Sequence, residues 1–177
     1  MRVGIGYDIH RFGRNGGTLK LGGVTIPHPR GLVGHSNADV LLHAITDALL
    51  GAIGAPDLGE LFPPSDPAWR GADSRVFLKH AERLVRRAGF RVGNLDAVVV
   101  ADSPTLAPHK MAIRRSIVRL LKMTPSSVSL KGKTTEGFAP GTHGIAAQAV
   151  VLLERTPRGP QSTHDRPQTR RRRRQRT

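Results

Sequence analysis

One segment constrains the fold of this chain more than any other: residues 37–53 have the apolar spacing of a helix with one buried side. Asn37 is of a type that can cap the start of such a helix. Within the same segment, Asp39, His43 and Asp47 follow one another at intervals of four, which places them on a single helix face. The apolar stripe consists of Val40, Leu41, Ala44, Ile45, Ala48, Leu49 and Ile53.

Strands and two further helices are predicted around this segment. Residues 2–12 alternate between two sets of side chains, which predicts a strand with two differently lined faces. The other predicted elements are a hairpin over 19–26, helices over 74–89 and 108–122, and strands over 95–100, 128–131 and 145–153. Residues 54–72 are rich in Gly and Pro and predict a long functional loop. We therefore expect an α+β fold, a mixed sheet with three main helices packed on one face.

Length and charge divide the chain into a core and a tail. A chain of 177 residues accommodates one ordinary domain, which we assign to residues 1–155. Residues 156–177 contain no core-forming residues and predict a disordered, Arg-rich tail. From position 155 onward nine arginines face one aspartate, so this stretch holds +8 of the net charge of +15. The tail could make nonspecific nucleic-acid contacts, although we do not expect that to be its function.

Other classes of protein are disfavoured by what the sequence lacks. There is no cysteine, so a metal would have to be held by His, Asp or Glu. No apolar run is long enough to cross a membrane, and the first residues lack the apolar stretch of a secretory signal. We expect a cytoplasmic protein.

Two separated segments supply candidate metal ligands. Asp8 and His10 lie at i and i+2 of the predicted first strand, so their side chains share a face. His43 lies between Asp39 and Asp47 on the apolar helix, and we expect these acids to orient its ring as a metal ligand requires. Together Asp8, His10 and His43 would form a three-ligand site with an open position, as in a catalytic zinc centre. Each part has a simpler interpretation, a surface aspartate beside a half-buried histidine or a hydrogen-bonded core histidine.

Two loops add further candidates. Residues 57–67 form a rigid proline-rich loop that carries several acids. Residues 131–137 place lysines, hydroxyls and a carboxylate between glycines at the end of a predicted strand. Such a turn can bind a phosphate and a divalent ion, although it lacks P-loop spacing. Taken alone, a segment of either kind is more often an ordinary solvated loop than a binding site.

In order, these motifs resemble the 2-C-methyl-D-erythritol 2,4-cyclodiphosphate synthase family over about residues 2–154. The matching segments are G-x-G-x-D-x-H-x-F (4–12), H-S (35–36), A-D-V-L-L-H-A-I-T-D-A-L-L-G-A (38–52), D-L-G-x-L-F-P-P-S-D-P (57–67), G-A-D-S (71–74), S-P-T-L-A-P-H (103–109), K-T-T-E (133–136) and G-I-A-A-Q-A-V-V-L-L (144–153). Coincidence in one motif is common, but not in a linked series.

The resemblance implies an enzyme of non-mevalonate isoprenoid biosynthesis. It would convert 4-diphosphocytidyl-2-C-methyl-D-erythritol 2-phosphate to the 2,4-cyclodiphosphate and release cytidine monophosphate. The implied assembly is a homotrimer with active sites between subunits. Implied ligands are Asp8, His10 and His43 for zinc or another divalent transition metal, and Glu136 for magnesium or manganese at the diphosphate. A metal-dependent phosphohydrolase and an RNA-binding protein are the alternatives.

The resemblance also assigns individual residues. His35 and Thr134 match transition-state stabilisers, and Ser36 matches a contact of the transferring phosphate. The remaining substrate-binding matches are Asp57, Leu58 and Gly59 for the methylerythritol wall, Phe62, Pro63, Pro64, Ser65 and Asp66 for a flexible loop, and Ala101, Asp102, Ser103, Pro104, Thr105, Leu106, Ala107, Lys133 and Thr135 for the cytidine and phosphate pocket.

The chain departs from the family pattern in a few places. Asn37 and Ala38 replace an acid and a glycine beside the implied ligands, where we expect tuning rather than loss. Pro64 replaces a common Asp, Thr105 stands where a Lys is frequent, and the loop after Glu136 is shorter.

Overall fold

The computed structural model describes residues 1–14, 16–138 and 143–156. Its strands are β1 (Arg2–Arg11), β2 (Leu19–Leu21), β3 (Val24–Ile26), β4 (Phe90–Val100), β5 (Val128–Lys133) and β6 (Gly144–Arg155). Four of them form one sheet in the order β1-β6-β4-β5, and β2 and β3 form a separate hairpin. Strand β6 runs antiparallel to both β1 and β4, whereas β4 and β5 run parallel. The sheet is therefore mixed, as the sequence predicts.

The helices cover one face of this sheet. They are α1 (Val40–Ile53), the single-turn α2 (Leu58–Leu61), α3 (Ser74–Arg87) and α4 (Lys110–Leu121), with 3-10 turns at Pro67–Trp69, Ala107–His109 and Pro125–Ser127. Alternate residues of β4 and β6, such as Ala97 and Ala149, are buried beneath them in the main core. The α+β prediction with three main helices is confirmed. None of the helices in the described ranges is both long and apolar enough to span a bilayer.

Strand β1 buries its glycines and exposes its apolar side chains. A Cβ atom added to Gly4 or Gly6 would lie 2.0 Å from a backbone carbonyl oxygen of α1, that of Ala48 or Ala44. The helix therefore lies directly on the backbone of β1. On the opposite face, Val3, Ile5, Tyr7 and Ile9 are 56–66% exposed in the single chain. One side of the sheet is consequently left open, with an apolar surface at its β1 edge.

Helix α1 begins later than predicted, and its cap is a different residue. Asp39 is the N-cap, and its Oδ1 accepts a hydrogen bond from the Leu42 amide at 3.1 Å. The same buried carboxylate accepts from the backbone amides of Gly22 and Gly23 in the hairpin turn. The predicted Asn37 cap is therefore wrong, because Asp39 alone is placed to serve both the helix and the hairpin.

The other predicted segments differ in detail. In α3, Phe77, Ala81 and Val85 are buried as expected, but Val76 is exposed and does not face the core. The predicted loop over 54–72 contains α2 and a 3-10 turn, each capped by an aspartate. Of the tail predicted over 156–177, all but Thr156 lies outside the described residues.

Candidate functional site

The structure brings Asp8, His10 and His43 together at one edge of the sheet. Asp8 and His10 project from β1 towards α1, which carries His43, and one ligand atom from each lies within 4.8 Å of the others. Asp8 Oδ2 is 2.9 Å from His43 Nδ1 and 3.0 Å from His10 Nε2. The two ring nitrogens are 3.2 Å apart. Ligands of a tetrahedral zinc ion with bonds of 2.0–2.1 Å stand about 3.3 Å apart, so the spacing fits such an ion.

In each imidazole, the nitrogen that points away from Asp8 forms a hydrogen bond that fixes the position of the ring proton. The other nitrogen then directs its lone pair towards the group formed by Asp8, His10 and His43, which we call the cluster. His10 Nδ1 lies 2.8 Å from the carbonyl oxygen of Val33, which can only accept, so the proton is on Nδ1 and Nε2 is free. His43 Nε2 lies 2.8 Å from the Ser74 hydroxyl. That hydroxyl donates its own proton to Asn37 Oδ1 at 2.6 Å, so it accepts from His43.

The donor set therefore suits a divalent cation. Two imidazole lone pairs and a carboxylate oxygen converge within 3.2 Å, an unfavourable arrangement unless a proton or a metal ion lies between them. Burial raises the pKa of Asp8, but the adjacent imidazoles of His10 and His43, when they carry a proton towards it, lower that pKa by more, to below its ordinary value. For His10, burial lowers the pKa and Asp8 raises it, with a net increase. Nitrogen and oxygen ligands of this kind bind zinc and related transition metals.

The residues that orient His43 are not those that the sequence indicated. Asp39 caps α1, and Asp47 accepts from the Leu58 amide at 2.9 Å at the start of α2. Ser74 and Asn37 take the expected role instead. Ser74 is the first residue of α3 and is fully buried, a position that its sequence neighbours do not indicate.

A cavity of about 180 Å³, which we call the metal-side pocket, opens beside the cluster. Its lining consists of Asp8, His10, His35, Ser36, His43, Leu58, Gly59, Phe62, Pro64, Trp69 and Phe77. Four of the eight predicted loop residues therefore line this pocket, and the sequence did not indicate Trp69 and Phe77. Phe62 packs edge-on to Trp69, with ring centroids 5.0 Å apart. Indole and phenyl rings therefore form an apolar wall.

Four predicted residues of this region are not among the lining. Asp57 caps α2 by accepting from the Glu60 amide, and Asp66 caps the 3-10 turn by accepting from the Ala68 amide. The Asp66 carbonyl also accepts from His35 Nε2 at 3.3 Å, which links the loop to His35. Pro63 and Ser65 complete the set that lies outside the pocket lining.

A second cavity, of about 410 Å³, lies at the far edge of the sheet, and we call it the β5 pocket. Its lining consists of Ala101, Asp102, Thr105, Leu106, Ala107, Lys110, Gly132, Lys133, Thr134 and Glu136. Nine residues were predicted for the cytidine and phosphate pocket, and six of them line this cavity. A seventh, Thr135, is hydrogen-bonded to the lining residue Asp102. Ser103 and Pro104 do not line it, and the Ser103 hydroxyl instead lies 3.3 Å from His28 Nε2. Lys110 was missed.

Asp102 joins the two segments that form the β5 pocket. Its carboxylate accepts from the Thr135 amide and from the Thr135 hydroxyl, each at 2.8 Å. These two bonds hold the pKa of Asp102 below its ordinary value. In the same turn the Thr134 hydroxyl donates to Glu136, which has a left-handed backbone with φ of +52°. Through its hydrogen bonds with Thr135, Asp102 thus fixes the position of the turn that contains Thr134 and Glu136.

Both pockets lie at the same end of the sheet but on opposite edges. Asp8 pairs with Ala147, Ala147 with Val99, and Val99 with Gly132. Three strand spacings separate the first and last of these, about 14 Å. One chain therefore carries a candidate metal site and a polar, charged pocket that do not adjoin.

Comparison with known proteins gives a consistent result. The model of the YgbB family matches residues 1–154. A 2-C-methyl-D-erythritol 2,4-cyclodiphosphate synthase from Koribacter versatilis is 54% identical over 156 residues, 88% of this chain and 99% of the relative. A solved structure of such a synthase superposes with a TM-score of 0.81 at 46% identity, covering 86% of this chain and all of that one. A second solved structure, of a synthase of this name in a CDP-bound form, superposes with a TM-score of 0.81 at 44% identity and covers 86% of this chain and all of that chain.

Proposed function

Because the chain belongs to the YgbB family, we propose how its described residues perform the reaction of its synthase relatives. The enzyme converts 4-diphosphocytidyl-2-C-methyl-D-erythritol 2-phosphate to 2-C-methyl-D-erythritol 2,4-cyclodiphosphate and cytidine monophosphate. An oxygen of the 2-phosphate forms a bond to the β-phosphorus. The bond from that phosphorus to the bridging oxygen breaks, and its electron pair leaves with cytidine monophosphate. No side chain needs to act as a nucleophile, so positioning and charge neutralisation are the protein's tasks.

At the metal-side pocket, Asp8, His10 and His43 would hold zinc or a related divalent ion. When bound, such an ion neutralises phosphate charge as a Lewis acid. His35 and Ser36 line the same pocket, where an imidazole and a hydroxyl can donate hydrogen bonds to phosphate oxygens. The convergence of three ligand atoms in their binding tautomers is the observation that carries this proposal.

At the β5 pocket, Glu136 would hold magnesium or manganese against the diphosphate, since one carboxylate plus substrate phosphates is a common magnesium environment. Thr134 offers a hydroxyl to the charge that develops during transfer. The cytidine would lie along residues 101–107 and Lys133. A CDP-bound form of a relative at 44% identity supports a cytidine nucleotide as ligand.

A homotrimer would bring the two halves together. The three candidate metal ligands and the β5 pocket of one chain lie about 14 Å apart across the sheet, so one chain alone does not bring them together. The uncovered face of β1, with four apolar side chains more than half exposed, is a surface of the kind that protein interfaces bury. We infer that one subunit supplies the metal and the next subunit supplies the nucleotide pocket.

Phosphorus NMR of the purified protein with substrate, zinc and magnesium tests the proposal. We expect cytidine monophosphate and a cyclic diphosphate in equal amounts, and a chelator should abolish both. Inorganic phosphate or a linear product would indicate the metal-dependent phosphohydrolase instead. No turnover by the folded, metal-loaded protein would contradict both.

A further inference from the structure

The charged side chains that line the β5 pocket are two lysines and two acids. Lys110 and Lys133 supply the cations, and Asp102 and Glu136 supply the carboxylates. Lys110 has no assigned role in the reaction described above. It is the first residue of α4, just beyond the segment that forms the rest of this wall.

The two carboxylates are already engaged within the turn. Both oxygens of Asp102 accept hydrogen bonds from Thr135, and Glu136 accepts from the Thr134 hydroxyl. Neither lysine forms an ion pair with any residue in the described part of the chain. The two carboxylates keep their charge, but within the described residues neither ammonium group is paired with an acid, so both are available to an anionic ligand.

The backbone holds Lys110 in a defined place. Its amide donates to the Leu106 carbonyl at 3.1 Å, which joins α4 to the 3-10 turn before it. The residue is half-buried, and the first turn of α4 contains no acidic residue. A lysine with a partly buried stem keeps its charged end at the surface of the cavity.

We propose that Lys110 is a phosphate-binding residue of the β5 pocket and that it contacts the diphosphate of a bound cytidine nucleotide. This inference rests on the proposed function and adds to it a residue from α4. An ammonium group binds a phosphate as a point charge without strict geometry. A bond of this charge-assisted kind contributes more than one between neutral groups.

Calorimetric titration with two probes, CDP and cytidine, tests the inference without requiring turnover. In Lys110→Met the Kd for CDP should rise about tenfold, the order of a single hydrogen bond to a charged group. The Kd for cytidine, which has no phosphate, should not change. Lys110→Arg should retain most of the affinity for CDP. Lys79→Met, which removes an exposed lysine on α3, is the matched control and should bind like the parent.

The possible outcomes separate the two proposals. If the unmodified protein binds CDP and Lys110→Met binds it equally well, the role of Lys110 is refuted and the proposed function is unaffected. Equal losses of CDP and cytidine would indicate damage to the pocket and would also refute the role. If the unmodified protein does not bind CDP, the nucleotide half of the proposed function fails. Melting temperatures of all variants confirm that each is folded.

Discussion

Both ring nitrogens of His43 are committed, one to the metal cluster and one to Ser74. His43 Nε2–H donates to the Ser74 hydroxyl, and that hydroxyl donates to Asn37 Oδ1. Three residues from three parts of the chain therefore determine the tautomer of His43. Partners of this kind tune metal affinity without touching the ion. Asn37 is thereby explained: an amide oxygen at this position accepts the serine proton.

Removing the Ser74 hydroxyl should weaken the metal site while leaving the three ligands in place. We expect Ser74→Ala to lower zinc affinity by about 10- to 100-fold, measured by competition with a chromophoric chelator. Ser126→Ala, at an exposed 3-10 turn, is the control and should bind zinc normally. Unchanged zinc affinity in Ser74→Ala would show that Ser74 does not orient His43 and that packing or the Ser36 hydroxyl, 3.1 Å from His43 Nε2, is sufficient.

The turn after β5 should affect turnover independently of zinc. We expect Thr134→Ala to lower kcat by about 10²- to 10³-fold, as for loss of one donor to a developing charge. Glu136→Ala should also lower turnover, and part of its loss should be recovered by raising the magnesium concentration. Zinc content by atomic absorption should equal that of the parent in both variants. Zinc loss would mean that the second metal site is misassigned.

At the scale of elements, the contact between β1 and α1 depends on two glycines. Because Gly4 and Gly6 have no side chain, the helix approaches until its carbonyl oxygens occupy the space of a Cβ atom. This close approach brings His43 of α1 within reach of Asp8 and His10 of β1. The candidate metal site thus depends on backbone proximity as well as on the identity of its three ligands.

A methyl group at this contact should be costly. We expect Gly6→Ala to lower the free energy of unfolding by about 3 kcal/mol, since the added carbon meets a backbone atom that cannot rotate away. Gly51→Ala within α1, where a Cβ atom finds its nearest neighbour at 3.9 Å, should instead stabilise by about 0.5–1 kcal/mol. Urea unfolding measures both. A neutral effect of Gly6→Ala would show that α1 can move off the strand.

Regular elements were predictable because their periodicity is local. The spacing of apolar residues located α1, α3 and α4 to within a few residues, and alternation located β1. Alternation alone does not say which face of β1 the helix covers, because glycine is no marker of burial. The cap of α1 was missed for a related reason. Asp39 is held in place by hydrogen bonds from the amides of Gly22 and Gly23, which are distant in sequence.

The site was predictable to the extent that its residues lie within contiguous motifs. The three candidate ligands were found in that way. Ser74 and Lys110 were not, since each begins a helix and reaches its pocket only through the packing of that helix. Roles that depend on tertiary contact leave little trace in one sequence.

For the whole molecule, the uncovered sheet face makes assembly testable. We expect Ile5→Asp to place an unpaired charge in the proposed interface and to dissociate the proposed trimer. Light scattering should then give one chain mass, 19.1 kDa, and activity should fall with it. Val76→Asp, an exposed valine on α3, should remain assembled. An Ile5→Asp protein of unchanged mass and activity would contradict this placement of the interface.

The Arg-rich end of the chain should be dispensable for catalysis. Because the family match ends at residue 154, we expect a chain truncated after residue 155 to retain its kcat and KM. Binding of the full chain to RNA, if observed, should fall steeply with salt and disappear on truncation. A truncated chain that is folded but inactive would show that the tail contributes to the reaction.

The separation of the two pockets on opposite edges of one sheet has a genetic consequence. In the proposed trimer, mixing two defective chains, one altered at His43 and the other at Glu136, would create contacts in which the intact metal site of one meets the intact nucleotide pocket of the other. Two inactive alleles would then restore activity in the same cell, a case of intragenic complementation. Chains that each carried a complete site would show no such rescue.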